Sequence, residues 1–254
     1  MPATTEIVPL KYDWITDFSH GMAAVSRNEK IGFINKLGKE ITPFIYSENW
    51  GYVATVSEGY GLINLEEKYG FIDSTGKIIS EPKYDLAYCM KEGFAAVCVN
   101  DKWGFIDKTG KEVIPLQYED ANYFFEGLAA VKLNGKWGFI NIHGELIVPA
   151  IYDDANDFDE GLASVGLNGK FGLINKSGKE IVSIQYEKSF YFSYNNVVPV
   201  QANGKWGFIS KTGNEVVPLK YNGAGLFIEE LAWVTIYDKY GFVDKTGKVV
   251  IPLK

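Results

Sequence analysis

Two histidines and two cysteines in 254 residues leave little material for the commonest catalytic and metal-binding chemistries. Cys89 and Cys98 are too few to form a disulfide framework and sit in no metal-ligand spacing, so both read as free thiols. His20 and His143 lie far apart in the chain, and neither stands in a metal spacing nor beside a Ser or Cys in a nucleophile motif. No run of about 18 apolar residues occurs, which excludes a membrane-inserted helix. Residues 1–9 lack the basic start and apolar stretch of a secretory leader, so a cytoplasmic location is expected, with export after removal of a signal as the alternative. A net charge of −7 argues against nucleic acid as a partner, because such affinity rests on Lys and Arg neutralising phosphates. What the chain has in quantity is glycine (27), phenylalanine (16) and tyrosine (16), with 46% of residues hydrophobic. That composition fits a packed fold rather than disorder.

The glycines and aromatics recur in phase. Lys102-Trp103-Gly104-Phe105-Ile106-Asp107 returns as Lys136-Trp137-Gly138-Phe139-Ile140-Asn141 and as Lys205-Trp206-Gly207-Phe208-Ile209-Ser210. With looser copies, the central glycines are Gly32, Gly70, Gly104, Gly138, Gly172, Gly207 and Gly241, so one unit of 34 to 38 residues is used seven times. The intervals predict a single array over residues 1–254.

Each copy reads as a three-stranded antiparallel meander. Residues 128–133 meet residues 136–141 across Asn134-Gly135, a two-residue hairpin whose central residues must take positive φ. The second strand runs into a turn closed by glycine in every copy, Gly110, Gly144 and Gly213 among them, as a left-handed loop residue requires. The third strand, residues 112–118 in one copy, carries Pro115, and Pro9, Pro43, Pro149, Pro218 and Pro252 share its register. A residue without an N–H fits an edge strand or a bulge. Residue-by-residue pairing of the first hairpin puts Trp137, Phe139 and Ala130 on one face, and Ile140, Val131 and Ala129 on the other. Both faces are apolar, so each sheet is expected to lie between neighbours. Gly104, Gly138 and Gly207 would then serve close approach between sheets. Trp103, Trp137 and Trp206 would be core.

On the Lys-Trp-Gly-Phe-Ile-Asp motif, the Lys-Thr-Gly-Lys turn and the upstream Phe-x-Glu-Gly-Leu-Ala, the chain resembles the bacterial WG-repeat, or KWG-repeat, proteins over about residues 7 to 254. Ile31, Tyr69, Phe171 and Tyr240 stand where that motif has Trp, and copy six reads Phe190-Tyr191-Phe192-Ser193-Tyr194-Asn195-Asn196 in place of the Glu-Gly segment. The resemblance implies an interaction module without a defined reaction. The expected fold is an all-β array of meanders stacked as an open β-solenoid-like superhelix, because residues 7–12 supply an extra third-strand segment within a capping stretch at residues 1–13, while the last copy has its own third strand at residues 249–253. A closed seven-bladed β-propeller-like ring is the alternative.

No convergent catalytic set emerges. Acidic pairs such as Glu119-Asp120, Asp153-Asp154 and Asp159-Glu160 fall in polar connectors and read as solvated, and lysines that start the middle strands or flank the second turn read as edge protection. Neither a metal nor a cofactor is expected, and no enzyme activity. The function expected is a monomeric scaffold that binds another protein, with a glycan as the alternative partner. Residues that break the repeat are the candidate contacts: Trp14, Trp50, Tyr191, Tyr194 and Trp233, the last standing where other copies have a small residue.

Overall fold

A computed structural model describes residues 11–47, 56–188 and 197–254, and all regular structure among them is β-strand. The strands pair into antiparallel sheets, one for each of the seven central glycines. The chain divides into two compact units, residues 1–127 and 128–254.

The sheet around Gly104 shows how one copy is built. Phe94–Val99 pairs with Lys102–Asp107 across Asn100-Asp101, both at positive φ, with Val97 opposite Gly104 and Ala96 opposite Phe105. Asn134 and Gly135 take the same conformation, as the Asn-Gly signal requires, and Glu66-Glu67 and Tyr237-Asp238 reach it without either residue type. The third strand, Glu112–Tyr118, lies at the edge, and its pairing jumps from Trp103↔Tyr118 to Phe105↔Ile114. The extra residues, including Pro115, form a bulge opposite Gly104, so the proline sits where no ladder N–H is called for.

Two expectations are revised here. The meanders carry a further strand: the connector turns back along the first strand, and Leu86–Ala87 pairs with Cys98 and Val97, held by Asp85 N–H to Cys98 O and Tyr88 N–H to Ala96 O, both 2.9 Å. Buried Ala87 and Met90 anchor that connector, but a two-residue strand is too short to show an alternating pattern. In the second unit Asp154–Ala155 and Gly223–Ala224 do the same. The central glycine, moreover, serves close approach within its own sheet rather than between sheets. A Cβ on Gly104 would lie 2.5 Å from Ile114 O, and one on Gly138 2.6 Å from Val148 O, because the bulge folds across the glycine. Gly207 meets Val217 O in the same way at 2.5 Å. Copy one departs, with the Phe44 ring covering Gly32 instead.

Both faces of each interior sheet are buried, as the pairing predicts. Within each unit, stacking is directional and solenoid-like: the face that carries the middle-strand Phe, here the Phe-face, packs against the opposite, aliphatic face of the next sheet. Phe139, Ala130 and Val148 meet Ala163, Val165 and Ile174; Phe71 and Leu62 meet Ala95, Val97 and Ile106; Phe208 and Val217 meet Ala232, Val234 and Val243. An aromatic from the next connector plugs the layer, with Phe139–Phe158 and Phe208–Phe227 centroids 4.7 and 4.9 Å apart. Tyr12 and Phe44, whose rings stack at 5.9 Å, pack against the aliphatic face of the first sheet, Ala23, Val25 and Ile34. Of the capping stretch expected at residues 1–13, only Lys11, Tyr12 and Asp13 fall among the described residues, and they carry no strand.

Candidate functional site

The recurring charges are committed to the repeat itself: acidic residues of the connectors, such as Asp153 and Glu160, are exposed to solvent as expected, but some also carry hydrogen bonds and ion pairs between copies. Three sets of carboxylates can be distinguished. Asp107 closes its own turn by accepting from Thr109 N–H at 2.8 Å, the Thr109 hydroxyl at 2.6 Å and Lys111 N–H at 3.1 Å; Asp73 and Asp244 repeat the pattern and Asn141 and Asn175 imitate it. The Thr109 hydroxyl, opposed by partial burial and aided by the two amides and Lys111, holds the Asp107 carboxyl below its ordinary pKa. A second set follows the conserved-in-copy tyrosine that ends the third strand. Asp85 pairs with Lys68 and accepts from Asn100 N–H at 2.7 Å, and Asp153 pairs with Lys136 and accepts from Asn168 N–H at 2.7 Å. Each thus ties the middle-strand lysine of one copy to the hairpin turn of the next, which revises the reading of those lysines as edge protection.

The third set links turn to turn. Glu58 takes Glu92 N–H at 2.7 Å and Gly93 N–H at 2.9 Å; Glu92 in turn takes Glu126 N–H and Gly127 N–H at 2.7 and 2.8 Å. Glu58, Glu92 and Glu126 themselves have φ near +50°, so each Glu-Gly pair is a tight turn with two outward N–H groups. The rungs fall one repeat apart. Partial burial pushes the Glu58 carboxyl up, but the Gly93 and Glu92 amides and the Lys108 ammonium at 3.3 Å outweigh it and leave the pKa lowered. In copy one His20 occupies the place of Glu, at positive φ, with its ring bonded to Ser19 Oγ at 3.1 Å. His143 sits in an Asn141-capped turn. Cys98 is buried, which pushes its thiol up, and both cysteines are free. Among the described residues no cluster of His, Cys, Asp and Glu could hold a metal ion, and no helix is long and apolar enough to cross a membrane.

The aromatics sort by register. Trp103 is buried and its ring stacks on Tyr88, which stacks on Tyr123, each pair 5.0 Å apart; Trp137 and Trp206 are half-buried against their cores. Gly110, Gly144 and Gly213 close their turns at φ from +78° to +84°. Of the candidate contacts, Trp14 and Trp233 are exposed at 39% and 41%. Trp50, Tyr191 and Tyr194 lie outside the described residues. Trp233 stands opposite Phe242 and leans over Gly225, where a Cβ would lie 1.9 Å from its indole nitrogen. Gly223 and Gly225 replace Asp154 and Asn156 of an earlier copy, so room for the indole is written into the same copy that carries it.

A model of the family described as WG containing repeat matches eight times, at residues 5–30, 31–69, 69–103, 103–137, 137–171, 171–206, 206–240 and 240–254. The chain belongs to the WG-repeat family. In this WG-repeat chain the Trp-Gly pair joins two requirements: an aromatic on the Phe-face, and a glycine over which the third strand bulges. No curated protein matches the sequence. Among solved structures, a eukaryotic initiation factor is similar at a TM-score of 0.55 and 9% identity, covering 96% of this chain and 78% of that one. Hsv2 of Kluyveromyces lactis with complete loop 6CD has a TM-score of 0.45 and 9% identity, covering 89% and 87%. These neighbours are β-propeller-like domains, and the likeness to the initiation factor is one of fold alone.

Proposed function

We propose that this WG-repeat chain is a non-enzymatic scaffold that presents its irregular positions to another protein. The observation that carries the reading is the division of labour among tryptophans. Trp103, at the repeat position, is buried, whereas Trp14 and Trp233, off register, are exposed. Large rigid aromatics at singular exposed positions suit binding hot spots. Support also comes from the charges: Asp85, Asp107, Asp153, Glu58 and Glu92 are engaged in turns and links between copies rather than converging as acid and base. A glycan-binding role draws less support, because Tyr88 and Tyr123 use their ring faces on Trp103 and on each other. The chain would act as a monomer, and its net charge of −7 speaks for a protein rather than a nucleic-acid partner.

Quantitative affinity purification with the wild-type chain and with a Trp14→Ala/Trp233→Ala variant tests the reading. The variant should lose specific partners while remaining folded. Identical partner lists would remove these two residues from the proposal, and an empty list for the wild type would remove the scaffold role.

A further inference from the structure

Between Leu86 and Leu226, the exposed large apolar side chains among the described residues are Ile142, Leu146, Ile147 and Ile151, each 40% to 50% exposed. All four fall in the second turn and third strand of copy four, the copy built on Gly138. Other copies carry polar groups there. The turn positions of Ile142 and Glu145 hold Lys108 and Lys111 in copy three and Lys176 and Lys179 in copy five. The strand positions of Leu146 and Ile151 hold Glu112 and Gln117, Glu180 and Gln185, and Glu215 and Lys220 in copies three, five and six. This third strand, Leu146–Tyr152, is the edge of its sheet, and charged side chains are what ordinarily guard an edge against pairing with another chain. Copy four has exchanged that guard for aliphatic side chains.

The bulge sharpens the difference. In copy five the register runs Phe171↔Tyr186 and Leu173↔Val182, and the Glu180 carboxylate accepts from Ile184 N–H at 3.0 Å, so the amide inside the bulge faces the edge. Copy four has the same register, Trp137↔Tyr152 and Phe139↔Val148, but Leu146 stands in the place of Glu180 and has no oxygen to offer Ala150 N–H. Copy two also has an aliphatic residue there, Ile78, yet Pro82 stands where Ala150 does and the amide itself is missing. Among copies two to six, only copy four joins an aliphatic guard position to an edge amide that its own side chain cannot satisfy. The local charge is of one sign as well. From Ile142 to Asp154 the carboxylates are Glu145, Asp153 and Asp154, with no lysine or arginine between them. Asp153 is paired with Lys136, whereas Glu145 and Asp154, at the two ends of the patch, are exposed and have no ion pair among the described residues.

We propose that the third strand of copy four is the docking edge for an extended segment of another protein, one with aliphatic side chains at alternate positions, Lys or Arg at both ends, and a backbone carbonyl that accepts from Ala150 N–H. Strand addition of this kind draws affinity from main-chain hydrogen bonds and selectivity from alternate side chains. The apolar side chains answer to Leu146, Ile147 and Ile151, and the terminal cations answer to Glu145 and Asp154. From Glu145 to Asp154 an extended strand runs about 30 Å, the length of about ten residues. The inference rests on the scaffold reading and gives it a surface independent of Trp14 and Trp233.

The probe is the fluorescein-labelled peptide Lys-Val-Thr-Val-Thr-Val-Thr-Val-Thr-Lys, titrated with the full-length chain and followed by fluorescence anisotropy, with the same peptide carrying Asp at both ends as its counterpart. The wild type should bind the Lys-flanked peptide saturably, with a Kd of about 100 µM or tighter, and the Asp-flanked peptide about tenfold more weakly or worse. Leu146→Glu/Ile151→Gln installs the residues that copy five carries at these places, a pattern the fold already accommodates, and should weaken binding of the Lys-flanked peptide about tenfold or more. Amide shifts in the NMR spectrum at saturation should be largest at Ala150 and its neighbours in the third strand. Absence of saturable binding overturns the docking edge, as does binding that survives the double substitution, treats the two peptides alike or shifts amides elsewhere. Sedimentation velocity of the chain alone at the titration concentrations should show the 28.4 kDa monomer; association that the double substitution abolishes would assign the edge to a second copy and overturn the peptide reading. Neither a cellular partner nor Trp14 or Trp233 enters this measurement, so its failure leaves the partner lists standing, and empty partner lists leave it standing.

Discussion

Gly110→Ala separates two reasons for a glycine that usually occur together. Gly110 has φ +80°, which an L side chain adopts at a cost of about 1 kcal/mol. A Cβ there would also lie 1.9 Å from Ile79 O, the backbone of the preceding copy, a distance that forces the two copies apart. Overpacking of that kind costs about 1 to 3 kcal/mol, so the total is about 2 to 4. Two controls isolate the parts. Gly135 has φ +74° with nothing within 4 Å of a Cβ, so Gly135→Ala should show only the conformational part, about 1 kcal/mol. Gly104→Ala should show only the collision, since its φ is ordinary and Ile114 O is 2.5 Å away. Thermal unfolding followed by circular dichroism should place Gly110→Ala lowest in Tm, with each kcal/mol worth about 2 to 4 °C in a chain of this size. Equal losses for Gly110→Ala and Gly135→Ala would refute the close approach between copies and leave only local turn strain.

The remaining predictions follow from the carboxylates, the tryptophans and the thiols. Removing the carboxylate in Glu92→Ala should speed hydrogen exchange at the amides of Glu126 and Gly127 by on the order of tenfold, while amides of the Asn100-Asp101 hairpin keep their rates; uniform acceleration would mean general loosening instead. Glu58 and Asp107 have lowered pKa values in the folded state, so the stability they add is present above the unfolded values and is lost as pH falls from about 5 downward. Glu58→Gln should flatten that acid limb in a pH series of urea midpoints, and an unchanged limb would contradict the staple. Trp103→Ala should cost about 3 to 5 kcal/mol and half-buried Trp137→Ala less, by calorimetry, with the reverse order counting against the burial difference. Iodoacetamide should alkylate Cys89 well before buried Cys98, read by mass spectrometry on the native chain.

Turn chemistry was legible because it is local. Asn134-Gly135 announces positive φ at two adjacent residues and the Gly110 turn at its glycine, and the period follows from their recurrence. The aromatic and aliphatic faces were legible because residue-by-residue pairing across a two-residue turn leaves one register. Gly104 was read correctly as a position that excludes a side chain, but its reason depends on a bulge of the third strand, which the Pro115 signal allowed without locating over the glycine. Glu92 was not legible. Its partners lie a full repeat away, and a glutamate in a polar connector looks the same whether it faces water or the next turn. Off-register Trp14 and Trp233 could be found by comparing copies. That Trp233 leans on its own connector could have been suspected from Gly223 and Gly225, which appear only in that copy.

The staples bear on where specificity can reside. Where a turn glycine leaves 1.9 Å for a methyl group, as at Gly110, and where acidic residues hold amides of the following copy, as Glu58, Glu92 and Asp153 do, little change is tolerated without loosening two copies at once. Interior lysine and carboxylate rows are therefore poor places to encode a partner: a charge altered for recognition also removes a turn acceptor, as Asp153 serves both Lys136 and the Asn168 amide. Positions free of that double duty are those where the pattern already lapses. In copy four, Leu146 and Ile151 stand exposed where copy five has Glu180 and Gln185, and in the last sheet Phe242, Trp233 and Ile251 are exposed. In this architecture the regular positions fix the spacing of the surface, and recognition is left to residues that the spacing does not use.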